Sequence, residues 1–211
     1  MLKPISLLII VVFAFSYHKL TAQTESELEL LKANHNKEVT DYRNEYDASF
    51  RNAEESPLLE ADLANFQTHN YFSIDYKYRI EADFILNENP VEFEMPTTTE
   101  RKPIYLKYGE AHFTLDGEKI VLELYRNVEL AKTENFADYL FLPFTDKTTG
   151  FDSYGGGRYV DCKIPAGNKI IIDFNYAYNP YCAFNHRYSC PLPPAVNHIP
   201  VKIEAGEKKF H

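Results

Sequence analysis

The chain of 211 residues carries 22 Lys and Arg against 31 Asp and Glu, a formal charge of −9, and 45% of it is hydrophobic. That length suits one domain with a short appendage, the apolar fraction excludes a disordered or collagen-like chain, and the acidic balance leaves no basic field for nucleic acid. Sixteen Tyr and fifteen Phe, no Trp and twelve Pro favour strands and rigid turns over a helical bundle.

Residues 1–22 read as a secretory signal peptide: Lys3, an apolar run from Ile5 to Phe15, then Leu20-Thr21-Ala22 before polar sequence starts at Gln23. The run is about half of the roughly 20 residues that span a bilayer, so removal and export to the periplasm or exterior are expected, with no stable membrane span left behind. The large residues Tyr17, His18 and Lys19 leave an uncleaved N-terminal anchor as the alternative. Loss of Lys3 and Lys19 takes the charge from −9 to −11.

Residues 23–57 form the predicted N-terminal helix. Thr24 and Glu27 make a capping-box pattern, and Leu28, Leu31, Val39, Tyr42, Tyr46 and Phe50 recur at helical spacing over residues 25–53. Pro57 ends that run, and a short second helix fits residues 58–66. The apolar stripe is expected to lie on the β-rich domain of residues 58–211.

From Phe72 to Leu86 apolar and polar residues alternate, a half-buried strand long enough to bend or bulge. Further strands are expected over residues 93–95, 105–115, 119–125, 140–144, 159–164, 169–175 and 199–204, with Asp116-Gly117 as a hairpin turn and residues 165–168 as another turn. The predicted fold is mainly β, an antiparallel sandwich or barrel carrying an N-terminal amphipathic helix.

The chemistry-bearing residues concentrate between Phe141 and Pro194. Gly155, Gly156, Gly157 and Arg158 suggest backbone N–H groups and a guanidinium converging on an anion, although the lysine of a P-loop and the spacing of a dinucleotide fingerprint are missing and no cofactor is expected. The bland reading is a turn before a strand, with Arg158 paired to Asp161 or Asp146. Asp146, Asp161 and Asp173 are candidate general bases, and Asn175 shares a strand face with Asp173. Cys182, His186 and Cys190 have the spacing C-x3-H-x3-C, a weak soft-metal pattern; a Cys182 to Cys190 disulfide is the simpler account for an exported chain. Tyr154 and Tyr178 stand in a dense aromatic set that also includes Tyr159, Tyr181 and Tyr188.

Several blocks in order, ESPLLEADLANF, YFSIDYKYRIEADF, MPTTT, YGEAHFTLDG, PFTDKTTG, SYGGGRYVD, DFNYAYNPYCAFNHRYSCPLPP and IEAGEK, resemble an uncharacterised bacterial family, domain of unknown function 1684, over residues 38–208. The resemblance implies no reaction. It includes Cys182 and Cys190 in the shared motif and leaves His186 outside it, which weakens the metal reading. The leading expectation is an exported module that holds a small anionic ligand through Gly155 to Arg158, with Asn175 as a further binding residue and Tyr154 and Tyr178 as pocket wall. The alternatives are a hydrolase or isomerase with an Asp base beside Arg158, and an envelope protein-interaction module.

Overall fold

The computed structural model describes residues 5–211, with side chains from residue 25 onward. The leader expected over residues 1–22 therefore lies outside the fully described residues. Among the described residues no helix is long and apolar enough to cross a membrane.

Helix α1 spans Ile5–Arg51. Its contact face starts at His35 and continues through Val39, Tyr42, Tyr46 and Phe50, steps of three and four that keep one side of the helix on the sheet. Val39 and Phe50 are buried, each a gain of roughly 1.5–3 kcal/mol, whereas Leu28 and Leu31, expected on the same stripe, remain 43% and 55% exposed. Polar ties fix where docking begins: His35 Nε2 lies 2.6 Å from Asp173 Oδ2, and Arg43 donates to the carbonyl of Phe72 at 2.9 Å. The helix stops at Arg51 because Asn52 turns the chain, its carbonyl accepting from the N–H groups of Glu55 and Ser56. A four-residue helix α2, Glu60–Leu63, follows inside the predicted segment.

Eight strands make one sheet: β1 Arg79–Leu86, β2 Glu92–Glu94, β3 Ile104–Leu115, β4 Glu118–Asn127, β5 Tyr139–Asp146, β6 Arg158–Lys163, β7 Lys169–Asp173 and β8 His198–Ile199. Their order is β6-β5-β4-β3-β1-β7, with β2 added to β3 and β8 to β5. All pairs are antiparallel except β5 with β8. Strands β6 and β7 are consecutive in the chain yet lie at opposite ends of that order, so residues 164–168 can join them only if the sheet rolls up. The result is a curled half-barrel with the helix against it, and the segment after β7 returns to pair Tyr178 with Tyr159.

The alternation from Phe72 to Leu86 is only half strand. Residues Tyr76–Tyr78 form a 3-10 turn capped by the Asp75 carboxylate, and Asn175 clips the segment by bonding both the N–H and the carbonyl of Asp75. Asp116 and Gly117 have φ of 52° and 83°, the two positive values a tight hairpin turn needs. At the bulge between Lys107 and Gly109, a Cβ on Gly109 would sit 2.6 Å from Phe84 Cζ, so only glycine lets β1 and β3 close there.

The strand predicted over residues 199–204 shrinks to β8. The carbonyls of Ile203, Ala205 and Glu207, which a strand would offer to a neighbour, instead accept from the Arg158 guanidinium. The main core lies inside the half-barrel, with Leu122, Leu142, Phe144, Ile172 and Phe174 almost fully buried.

Candidate functional site

Strand β6 separates two environments by its period of two. Arg158, Val160 and Cys162 face the interior, while Tyr159 and Asp161 face an open cleft of about 430 Å³. That volume falls in the range of about 300–1,000 Å³ usual for small-molecule sites. Helix α1 supplies Tyr42 and Tyr46, β3 and β5 supply Tyr105 and Tyr139, and the C-terminal loops supply Tyr178, Tyr181 and Tyr188. The rings interlock edge to face: Tyr159 lies 4.7 Å from Phe141 and 5.7 Å from Tyr178 between centroids.

Asp161 is the single charged residue of the lining. Its Oδ1 accepts from the hydroxyls of Tyr139 and Tyr178, both at 2.8 Å, and Oδ2 has no protein donor among the described residues. The carboxylate is open to the cleft at its tip and hemmed by rings around its base. That enclosure pushes its pKa upward, against the two phenol hydrogen bonds that favour the ionised form. Burial, reinforced by the Asp161 charge, raises the pKa of Tyr139 and Tyr178 in turn, which keeps both phenols as donors.

The arrangement expected at Gly155 to Arg158 is corrected by the fold. Arg158 is 1% exposed. Its Nη2 donates to Asp146 Oδ2 at 2.6 Å and to the carbonyl of Ile203 at 2.8 Å, and Nη1 donates to the carbonyls of Ala205 and Glu207. Its guanidinium also lies over the rings of Phe144 and Phe72. A cation so committed holds no ligand. Gly155, Gly156 and Gly157 form the turn into β6; Gly157 has φ of 83°, and a Cβ there would meet the carbonyl of Phe144 at 2.6 Å. Asn175 is buried as the clip on Asp75, and Tyr154 packs beside the cysteines without lining the cleft. Of Asn175, Tyr154 and Tyr178, only Tyr178 lines the cleft, together with Tyr159, Tyr181 and Tyr188 of the wider aromatic set.

The three candidate bases fall into three separate networks. Asp146 is buried on Arg158, Asp173 is bound to His35 under the helix, and Asp161 faces the cleft with two phenols. No pair of them converges, which leaves the carboxylate-dependent hydrolase without its second group.

Cys182 and Cys190 are adjacent, but as thiols; all three cysteines are free and buried. Cys190 Sγ accepts the Cys182 N–H at 3.2 Å, and the Tyr154 hydroxyl lies 3.8 Å from Cys182 Sγ, so each sulfur has a polar partner without a disulfide. A hydrogen bond from Cys190 lowers the Cys182 pKa to about 6. His186 is exposed, and no cluster of three or more His, Cys, Asp or Glu suited to a metal occurs among the described residues.

A second cleft, about 570 Å³, lies beside Phe93, Met95, Tyr125 and Pro193. Its charged groups have partners: Lys107 lies 2.7 Å from both Glu110 and Glu123, and Glu123 also accepts from the Tyr125 hydroxyl. Of these two clefts among the described residues, the Asp161 cleft holds the carboxylate without a countercharge.

Sequence reasoning named Asp161 as a base rather than as the charge of a pocket, and it assigned Tyr42 and Tyr46 to helix packing. Tyr105 and Tyr139 were missed. Their strands meet β6 only through the sheet order, which the spacing of turns does not carry.

A family model described as "Protein of unknown function (DUF1684)" matches residues 64–208. The solution NMR structure of an uncharacterized protein of Haloarcula marismortui is similar, with 35% sequence identity, a TM-score of 0.65, and coverage of 83% of this chain and 95% of that one. No curated protein matches the chain.

Proposed function

The chain belongs to the DUF1684 family of unknown function, and from that premise we propose that it is a binding module for a small molecule, with the tyrosine-walled cleft around Asp161 as its site. The observation that carries this reading is a lone carboxylate kept open on one oxygen inside a wall of aromatic rings. Asp146 in the same half-barrel is buried on Arg158, whereas Asp161 is exposed on the cleft side with no countercharge. A carboxylate held by two phenols and still lacking a partner is arranged for something that arrives from solvent.

Binding is favoured over catalysis because the phenols that touch Asp161, Tyr139 and Tyr178, are committed as donors to it with pKa values raised by burial and by its charge, and Cys190 lies in the wall with its sulfur already accepting a backbone N–H. Export remains the setting we propose, supported by the apolar run from Ile5 to Phe15. A mature N-terminus at Gln23 is the expected product, and recovery of chain still beginning at Met1 from the envelope would overturn export by cleavage.

The site is tested by titrating a fragment set of mixed charge into protein with isotope-labelled tyrosine rings. Saturable shifts at Tyr139 and Tyr178 are expected, lost or weakened about tenfold in Tyr178→Ala. Fragments that bind only elsewhere, or a set that leaves these rings unmoved, would end the reading.

A further inference from the structure

We infer that the ligand of this cleft is an organic cation, an alkylated ammonium group seated against Asp161 Oδ2 with tyrosine faces around it. The inference rests on the cleft being the binding site and adds the sign and kind of charge it selects.

The lining contains one Asp and no Lys, Arg or His. Its one formal charge is the Asp161 carboxylate, and the faces of its aromatic rings carry the negative side of their quadrupoles. An anion would meet no countercharge there, and the chain as a whole, at −9, would repel it. Two exposed arginines stand near the rim, Arg101 on the carbonyl of Ser189 at 2.8 Å and Arg187 on the hydroxyl of Tyr188 at 2.7 Å, and both lie outside the lining.

Arg187 also shows what these rings accept. Its guanidinium carbon lies 4.8 Å from the centroid of Tyr188, one of the cleft's own tyrosines. The protein thus already rests a cation on one face of the wall. A ligand placed deeper would find more such faces, with less water between them.

The geometry also selects among cations. A hard divalent metal takes six or more oxygens, whereas the cleft offers one free carboxylate oxygen and phenols turned as donors toward Oδ1. A primary ammonium has three N–H donors to satisfy. A methylated ammonium has few or none, and its methyl groups meet ring carbons while its charge faces Oδ2. It is the cation that loses least on leaving water for this lining.

The test is a charge series at constant shape, read on the tyrosine ring signals of the full chain. Choline, 3,3-dimethyl-1-butanol and 3,3-dimethylbutyrate share a branched head and differ in charge, positive, neutral and negative. Choline is expected to bind at least about tenfold more tightly than the alcohol, and the carboxylate not at all. Asp161→Asn, its fold checked by thermal melting, is expected to bring choline down to the affinity of the alcohol. Equal binding of alcohol and choline, tighter binding of the carboxylate, or full choline affinity in a folded Asp161→Asn would overturn the inference. Should that variant not fold, the series on the unmodified protein decides alone. If choline leaves the rings unmoved while other fragments shift them, the cation is wrong and the site stands. If nothing shifts them, both readings fall together.

Discussion

Two aspartates on neighbouring strands, Asp146 of β5 and Asp161 of β6, show how differently one fold can use the same side chain. Asp146 is buried, faces a guanidinium at 2.6 Å, and its network draws in three backbone carbonyls through Arg158. Asp161 has two phenols on one oxygen and nothing on the other. The first network holds parts of the chain together that strands do not hold. The second leaves capacity unspent at a surface, where it adds little to folding. A motif-like segment therefore misleads about place: Gly155 to Arg158 turns a guanidinium into the interior, and Asp161, three residues on, faces the cleft.

The sharpest way to break this comparison is to remove the interior cation. Arg158→Met strands Asp146 without its countercharge and frees three carbonyls, so a loss of about 3–5 kcal/mol in urea unfolding is expected; a loss under about 1 kcal/mol would mean the network is incidental.

Glu207 gives the next effect, through pH. It is 1% exposed, and burial raises its pKa to about 8, against the Asn179 N–H and Arg158, which favour the charged form. The folded state thus holds a proton that the unfolded chain releases near the ordinary glutamate value. Stability from this group is present below that value, declines as pH rises toward about 8, and is flat above it. Glu207→Gln should remove a decline on the order of 2 kcal/mol between pH 5 and 8. An unchanged pH profile in melting experiments would place the charge elsewhere.

Asp161→Asn should move stability by no more than about 0.5 kcal/mol while removing the cleft's charge, because its contacts are peripheral to the core. A large destabilisation would erase the distinction between the two aspartates.

The thiols repeat the comparison with no expected change in stability. Cys182 is as buried as Cys162, each 5% exposed, but the hydrogen bond from Cys190 lowers its pKa, so on local opening at neutral pH it should alkylate first. Cys162 in the core, its thiol pushed upward by burial, should react only after unfolding. Equal labelling of all three would contradict the two environments.

Much of the fold was legible because it follows from local periodicity. The helix stripe from Val39 to Phe50, the strands around Asp116-Gly117 and the turn between β6 and β7 all follow from spacing and turn chemistry. What escaped depends on order in the sheet. Whether strands form two layers or one rolled layer is set by β6 and β7 ending at opposite edges, and no residue pattern states that. The site shares this limit, since Tyr42, Tyr105, Tyr139 and Tyr188 come from four elements. The long alternation beginning at Phe72 overstated its strand because Asn175, a hundred residues away, takes the backbone groups of Asp75.

Arg158 reads the backbone of Ile203, Ala205 and Glu207, residues that follow it in the chain by 45, 47 and 49 positions. Until they emerge, the half-barrel has a charged side chain in its interior without its acceptors. The core thus closes only when that later segment is in place rather than strand by strand, and a chain cut before Ile203 is expected to be a substrate for quality control rather than a shortened form of this protein.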